Sequence, residues 1–166
     1  MEQPVMQAPP GAHTVTYAGF WKRVFALIID GLVLSIVCAI IFVPFFLMVG
    51  LGALAGANNF DEEASAGLVV AFIGAYFFAI FLFVLAEWLY FALMESKKGA
   101  TLGKMALGIK VTDMDGNMIS FGRATGRFFG KYISGFIFGI GYMMAGFTQQ
   151  KQALHDILAK TLVVNK

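Results

Sequence analysis

Two long apolar stretches dominate the pattern of hydrophobic and polar positions along the chain. Residues 20–49 and 68–94 each exceed the roughly 20 apolar residues that a helix needs to cross a bilayer. These stretches predict two transmembrane helices. Pro44 lies late in the first stretch, where it is expected to kink the helix or to end it, because proline cannot donate a backbone hydrogen bond.

A third apolar segment covers residues 128–148, with its most apolar part at 132–147. That part contains four glycines, and as a helix it would be only about 24 Å long. One interpretation is a short or re-entrant apolar helix that returns the tail to its starting side. The other is a third full span that recruits Phe128 and Phe129. We favour re-entry, because a full span would place the lysines of the tail outside, against the positive-inside bias.

Two short β-type runs, 109–112 and 118–121, flank an Asp-Gly-Asn turn at 115–117. This pattern is typical of a β-hairpin. Since two strands alone are marginally stable in water, we expect a third strand from the β-rich run at 161–165. The chain is therefore predicted to be an all-α membrane protein with a small cytoplasmic β-hairpin, which the C-terminal strand joins.

Residues 122–134 carry two lines of side chains that repeat every four positions, so they form adjacent stripes on a helix. The small line consists of Gly122, Gly126, Gly130 and Ser134. The basic line consists of Arg123, Arg127 and Lys131. We predict an interfacial amphipathic helix whose small line packs closely against another helix and whose basic line faces anionic headgroups or cytoplasmic acids. A site on the basic line for one particular lipid or anionic ligand stays open as the alternative.

The composition is that of a membrane protein. Of the 166 residues, 59% are hydrophobic and 13% are charged, which lies outside the range of soluble globular domains. Segment 1–16 is expected to be a disordered polar tail, and residues 17–166 to form one transmembrane domain. The net charge of +2 is too small to indicate nucleic-acid binding, and the single Cys38 excludes an intrachain disulfide.

The distribution of charge predicts the orientation of the chain. Residues 50–67 contain no lysine or arginine, whereas residues 95–131 contain seven. Because loops rich in lysine and arginine stay in the cytoplasm, we expect a multi-pass protein whose N-terminus and 95–131 loop are cytoplasmic.

Arg23, Asp30 and Glu87 are charged residues of the two predicted spans that could form a site. Arg23 and Asp30 are two helical turns apart, so they share a face about 10 Å apart along the axis. Glu87 in the second span falls at a depth similar to that of Asp30. Charges in a bilayer are costly and mark a functional site by default. Two interpretations stay open: a polar clamp that holds the helices together, and a site that exchanges protons, cations or a small ligand.

No motif indicates an enzyme or a cofactor. The segment KGATLGKMALG lacks the spacing of a phosphate-binding loop, and DMDGN lacks the later ligands of a calcium loop. His155 and Asp156 form a lone pair without a cluster of further metal ligands. We therefore expect no metal site, no cofactor and no catalytic residues.

Three segments together resemble the RDD family, which is named for one arginine and two aspartates: GFWKRVFALIIDGLVL, GATLGKMALGIKVTDMDGNMISFGRA and QALHDILAKTLVV. The resemblance implies an integral protein of a bacterial inner membrane. It matches Arg23 to the arginine, Asp30 to the first aspartate and Asp156 to the second. If the tail returns to the cytoplasm, Asp156 would approach Arg23 and leave that arginine bracketed by two acids.

Transport is the commonly suggested role of this family, and we expect transport of ions or small ligands, with cation–proton exchange at Asp30. The alternative is a non-catalytic membrane assembly or lipid-binding module in which the charges only fix helix packing. Two or three spans enclose little volume, so a transport pathway would need an oligomer or a partner membrane protein. The expected partners are the bilayer with its anionic headgroups and a second membrane chain.

Overall fold

The computed structural model describes residues 16–56 and 62–166. Within these ranges the chain forms six helices and two strands. Their order is α1 Phe20–Gly56, α2 Glu62–Lys98, α3 Leu102–Ala106, β1 Ile109–Asp113, α4 Phe121–Phe136, α5 Ile140–Phe147, α6 Leu154–Ala159 and β2 Thr161–Asn165. Nearly all of the tail predicted to be disordered, 1–16, lies outside the described residues.

Helices α1 and α2 carry the two predicted spans. Each has 37 residues, with stretches at 20–54 and 66–98 that are long and apolar enough to cross a membrane. Such a helix is about 55 Å long, which exceeds the roughly 30 Å hydrocarbon core of a bilayer. Large apolar side chains along both helices are exposed, Ile40 and Val70 among them. The prediction of two helices that can cross a membrane is confirmed, although Pro44 does not end α1.

The two strands form an antiparallel sheet. Ile109 pairs with Asn165 at one end, and Asp113 pairs with Thr161 at the other. The strand predicted from the C-terminal run is therefore present. Residues 118–121, the predicted hairpin partner of β1, do not form a strand.

The hairpin prediction is wrong because side chains close the turn and start a helix. The Asp113 carboxylate accepts hydrogen bonds from the backbone N–H groups of Asp115 at 3.0 Å and Asn117 at 2.8 Å. The Ser120 hydroxyl then accepts a hydrogen bond from the backbone N–H of Arg123 at 3.3 Å. A serine in this position caps a helix, so the chain enters α4 instead of returning along β1.

A sharp break divides the third apolar segment into two helices. After α4 ends at Phe136, Phe138 (φ 54°) and Gly139 (φ 75°) adopt the left-handed conformation and reverse the chain. Helix α5 has only eight residues, about 12 Å, which is too short to cross a bilayer. It packs so closely against α4 that a Cβ built at Gly141 would lie 2.7 Å from the Ser134 Cβ. In the part of the chain that the structure describes, the segment is therefore not one straight span, and its helix α5 is short as expected. Its return to the starting side of a membrane stays a prediction.

The packed core lies where α1 begins and α2 ends. Ala26 of α1 and Ala92 of α2 meet Val111 and Val163 of the sheet and Ala124 of α4. The reversal between α4 and α5 allows α6 to pack across α4 and β2 to reach the sheet. The buried charged side chains of the described residues are thereby gathered where α1 begins and α2 ends.

Candidate functional site

Arg127 on α4 is the centre of the candidate site and is only 1% exposed. Its Nη1 donates to Glu95 Oε2 of α2 at 3.1 Å, and its Nη2 donates to Asp156 Oδ1 of α6 at 2.6 Å. Both carboxylates are buried. One guanidinium thus joins three helices through charge-assisted hydrogen bonds.

Asp156 is shared by a second arginine. Arg23 of α1 donates through Nη1 to Asp156 Oδ2, and through Nη2 to the carbonyl oxygen of Lys151 at 2.5 Å. The same carboxylate accepts the backbone N–H of Ala153 at 3.1 Å. The structure brings Arg23 and Asp156 together, but the bracketing is the reverse of the expected one. The acid lies between two arginines, and the arginine does not lie between two acids.

Glu95 is the second acid of this network, and sequence reasoning missed it. Besides Arg127, it accepts a hydrogen bond from Lys104 Nζ, and Lys131 Nζ lies 3.9 Å from its Oε1. Glu95 and Lys104 are both buried. They escaped notice because both fall in the lysine-rich 95–131 loop, where charged side chains are expected to be solvated.

The spacing of Glu95 from buried residues of its own helix is the signal that could have identified it. It follows Phe91 by four residues and Ala92 by three, and both of these are buried on α2. Residues three and four apart share a helix face. An acid in this phase is directed toward the core and therefore needs a cationic partner.

Asp30 is 1% exposed and lies apart from the network of Arg127. Three hydrogen-bond donors surround its carboxylate, and we call this set of donors the cradle of Asp30. Its Oδ1 accepts hydrogen bonds from the Tyr90 hydroxyl and from the backbone N–H of Gly103, both at 2.7 Å. Its Oδ2 accepts a hydrogen bond from the Thr101 hydroxyl at 2.5 Å. The three donors are neutral, and they come from α2 and from the start of α3. The cradle therefore ties α1 to both of those helices.

Gly103 is required for the cradle. A Cβ at this position would lie 2.2 Å from the Ala26 carbonyl oxygen and 3.0 Å from Asp30 Cγ. A side chain would have to move backbone atoms, which are stiff, and would separate α3 from α1. Glycine lets the backbone N–H of residue 103 reach the carboxylate directly.

Glu87 belongs to another part of the surface. Its Oε2 accepts a hydrogen bond from the Tyr132 hydroxyl at 3.2 Å, and the residue is partly exposed. The expected cluster of Arg23, Asp30, Glu87 and Asp156 therefore does not form as one unit. Neutral donors bind Asp30 and Glu87, so neither carboxylate depends on the arginine.

The basic line of α4 does not face the headgroups as one stripe. Arg127 is buried, and Lys131 Nζ lies over the Phe91 ring, 3.5 Å from its centroid. Arg123 is the most exposed of the three, with its Nη1 3.8 Å from Asp113 Oδ2. Of the two expectations for this line, headgroups or acids, Arg127 meets the second, because buried acids of α2 and α6 bind its guanidinium inside the protein.

The small line of α4 packs against α6 of the same chain. A Cβ at Gly130 would lie 2.9 Å from the His155 Cβ. The buried Ser134 donates a hydrogen bond to the Gly130 carbonyl oxygen at 2.9 Å, and its hydroxyl is 3.2 Å from His155 Nδ1. Positions Gly122 and Gly126 have nothing within 4 Å of an added Cβ. Close helix packing therefore uses one half of the line.

Burial and ion pairing set the charge states of the network. Burial would raise the pKa of Asp156, but Arg127 and Arg23 hold that pKa well below its usual range. Burial lowers the pKa of Lys131 to about 7, despite the attraction of a nearby carboxylate. Burial also lowers the pKa of His155 to about 3, so this ring is neutral at physiological pH. The charge of Lys131 thus changes near neutrality.

A cavity of about 320 Å³ adjoins the network. Most of its wall is apolar, and its ionisable lining residues are Arg23, Asp30, Lys104, Arg127, Lys131 and His155. Among residues 16–56 and 62–166, no three His, Cys, Asp or Glu side chains come together as metal ligands. The arrangement can hold an anion against its cations, and it gives a ligand access to Asp30.

Comparison with known proteins establishes the family. A family model described as RDD family matches residues 17–160. The chain belongs to the RDD family. This RDD protein is 38% identical to the uncharacterized protein YxaI of Bacillus subtilis (strain 168) over 150 residues, which cover 90% of this chain and 97% of YxaI. It is 29% identical over 174 aligned positions to the uncharacterized membrane protein YteJ of the same organism, with 100% of this chain and 93% of YteJ covered. No solved structure matches.

In this RDD protein, helix α1 makes two separate polar connections through the residues that the resemblance singled out. Arg23 pairs with Asp156 of α6, whereas Asp30 binds donors from α2 and the start of α3. Family membership and the two long apolar helices indicate a membrane protein. The three residues therefore attach the first apolar helix to the rest of the chain at two levels.

Proposed function

We propose that this protein is a non-catalytic membrane module for assembly or lipid binding, in which the buried charges fix helix packing. The observation that carries the proposal is the bracketing of Asp156 by Arg23 of α1 and Arg127 of α4. Arg127 is in turn held by Glu95 of α2. Removing one partner of a buried ion pair costs about 3–5 kcal/mol. These pairs therefore favour a single arrangement of four helices over a moving one.

The cradle of Asp30 supports the same proposal. Its carboxylate accepts three hydrogen bonds from groups that also join α1 to α2 and α3. A cation carrier would have to release some of these donors in each cycle. A clamp keeps all three, and its stability benefits from each of them.

Cation–proton exchange with Asp30 as the carrier is the second candidate. One observation favours it: Asp30 lines the cavity of about 320 Å³. A carboxylate that borders a cavity can exchange its hydrogen-bond donors for a cation or a proton. Two long helices enclose little volume, so this candidate includes a second copy or a partner membrane protein that completes the pathway.

We also propose the orientation of the chain. The sheet and the 95–131 loop lie in the cytoplasm, and α1 and α2 cross the inner membrane of the cell. The lysine and arginine residues at this end support that orientation. The proposed partners are bilayer lipids with anionic headgroups and a second membrane chain, and no enzymatic step is part of the proposal.

Flux and stability of a single variant separate the two candidates. Wild type and Asp30→Asn are reconstituted in proteoliposomes for proton and sodium flux, and both are unfolded thermally in detergent. The module predicts no flux in either protein and a lower unfolding temperature for Asp30→Asn, because an amide NH₂ replaces one acceptor oxygen. The exchanger predicts wild-type flux that a folded Asp30→Asn lacks.

Glu87→Gln is the matched control, because it also converts a carboxylate of a long helix to an amide. Glu87 is bound by Tyr132 alone among the contacts described for it, so its loss should change the unfolding temperature much less than the loss of Asp30. Proton or sodium flux in wild-type proteoliposomes would overturn the proposed function and favour the second candidate.

A further inference from the structure

The charges around the cavity do not balance. In the described part of the chain, four cationic side chains line the cavity, and three carboxylates accompany them. The cations are Arg23, Lys104, Arg127 and Lys131, and the carboxylates are Asp30, Glu95 and Asp156. Neutral donors bind Asp30, so the ion pairs of these four cations go to Glu95 and Asp156. Uncompensated buried charge is unfavourable and calls for a counter-charge.

Lys131 is the cation of this set that no carboxylate binds at hydrogen-bonding distance. Its Nζ is 3.9 Å from Glu95 Oε1, beyond hydrogen-bonding distance, and 3.5 Å from the centroid of the Phe91 ring. An ammonium group has three N–H donors. Lys131 lines the cavity, and its side chain is only 13% exposed. Bulk water therefore solvates its ammonium group poorly, and a ligand in the cavity can accept its hydrogen bonds.

Arg127 adds a second positive charge to the wall of the same cavity. Its Nη1 and Nη2 are paired, but its Nε has no hydrogen-bond partner within the described residues. The side chain is 1% exposed and lines the cavity. The Nε is closed to a molecule of the size of water, so Arg127 acts on a ligand in the cavity through its charge and not through a hydrogen bond.

The rim of the cavity is apolar. Leu27 of α1, Phe138 at the chain reversal and Met143 of α5 all line it, and they are 42%, 96% and 51% exposed. Large apolar side chains that are exposed together mark a surface that contacts lipid or another apolar partner. The cavity therefore combines cationic donors inside with an apolar border outside, which complements an amphipathic anion.

We propose that this cavity binds the phosphate of an anionic membrane lipid, with Lys131 as the donor, the charge of Arg127 behind it and the acyl chains along the apolar rim. The inference rests on the proposed function of a lipid-binding module and names its ligand. A volume of about 320 Å³ is near the lower limit for ligand pockets. It accommodates a headgroup and leaves the chains in the bilayer.

Lipid-dependent stabilisation tests the inference. The full chain in neutral detergent is mixed with dioleoyl phosphatidylglycerol, dioleoyl phosphatidylcholine or inorganic phosphate, and its unfolding temperature is measured against ligand concentration. We expect a saturable rise with phosphatidylglycerol and none with the other two. Lys131→Gln should weaken the apparent affinity by about tenfold. Lys98→Gln, which removes the same charge at an exposed position, should leave it unchanged.

Met143→Glu provides a second test that does not alter the ion pairs. It places a negative charge on the exposed rim, so it should abolish the response to phosphatidylglycerol while the ligand-free protein unfolds at the wild-type temperature. Equal stabilisation by phosphatidylcholine would overturn the inference, and so would a full response in both variants. A response to inorganic phosphate that Lys131→Gln removes would identify a soluble anion and exclude the lipid. Absence of any response, together with absence of ion flux, would reject this inference and leave the proposed function standing.

Discussion

Gly130 of α4 and His155 of α6 lie so close that a side chain at position 130 would collide with the neighbouring helix. A Cβ there would be 2.9 Å from the His155 Cβ and 3.2 Å from its Cα. Asp156 is the next residue along α6, so the same crossing sets the distance between its carboxylate and Arg127. The absence of a side chain at position 130 is thus a condition for the ion pair as well as for packing.

Gly130→Ala should lower the free energy of unfolding by about 1–3 kcal/mol, the usual effect of overpacking. The added methyl group moves α6 away from α4 and lengthens the ion pair between Arg127 and Asp156. Denaturant unfolding in detergent measures the change. Gly126→Ala is the control, since nothing lies within 4 Å of its added Cβ. It should stabilise the helix by up to about 1 kcal/mol, and a loss equal to that of Gly130→Ala would contradict the role of the crossing.

Arg127→Met should lower the free energy of unfolding by about 3 kcal/mol, the lower limit for breaking a buried pair. The lower limit applies because Glu95 keeps Lys104 and Asp156 keeps Arg23. Thermal and denaturant unfolding give the value. Arg123→Met changes the same side chain at an exposed position of α4 and should alter stability by no more than about 0.5 kcal/mol. Similar losses in both variants would mean that the network does not hold the helices.

Lys131 should make stability depend on pH above neutrality. Burial lowers its pKa from the ordinary 10.5 to about 7. Between these two values the unfolded chain binds a proton that the folded chain does not, so the free energy of unfolding rises as the pH increases from about 7 toward 10.5. Unfolding temperatures of wild type and Lys131→Gln across this window isolate the effect. The wild-type profile should be steeper, and parallel profiles would show that the pKa of Lys131 is ordinary.

The reversal between α4 and α5 predicts that the chain enters α4 and leaves α5 on the same side of the membrane. In a Cys38→Ser background, Lys98→Cys and Lys166→Cys should both be protected from an impermeant thiol reagent in intact cells and labelled after lysis. Gly56→Cys, at the other end of α1, should be labelled in intact cells. Opposite reactivity at positions 98 and 166 would contradict the reversal, whatever the orientation of the protein.

Hydropathy predicted the elements that it controls directly. The apolar runs at 20–49 and 68–94 identify helices because a lipid-facing helix satisfies its own backbone and needs no distant partner. The strand at 161–165 was predictable from its β-rich sequence, although the hairpin that it was expected to join does not form. In contrast, Ser120 caps a helix at the point where the local pattern favoured a strand, and a single side-chain hydrogen bond of this kind is invisible to periodicity.

Partners that are distant in sequence account for the rest of what was missed. The basic line of α4 predicted a charged partner for Arg127, and Arg127 has two of them. The spacing of basic residues along a helix does not reveal whether that partner is a lipid headgroup or a buried acid. Glu95 and Lys104 belong to a charged loop by composition and become a buried pair only when α3 packs on α1. Asp156 was found through its family motif, and its second arginine was not.

Asp156 is synthesised after both of the arginines with which it pairs. The two long apolar helices therefore precede, in order of synthesis, the carboxylate that holds α1 against α4. Insertion into the bilayer and closure of the fold become separate events in time, as in other chains whose segments fold in order of synthesis. A nascent chain stopped between the two events would present the guanidinium groups of Arg23 and Arg127 without their shared acid.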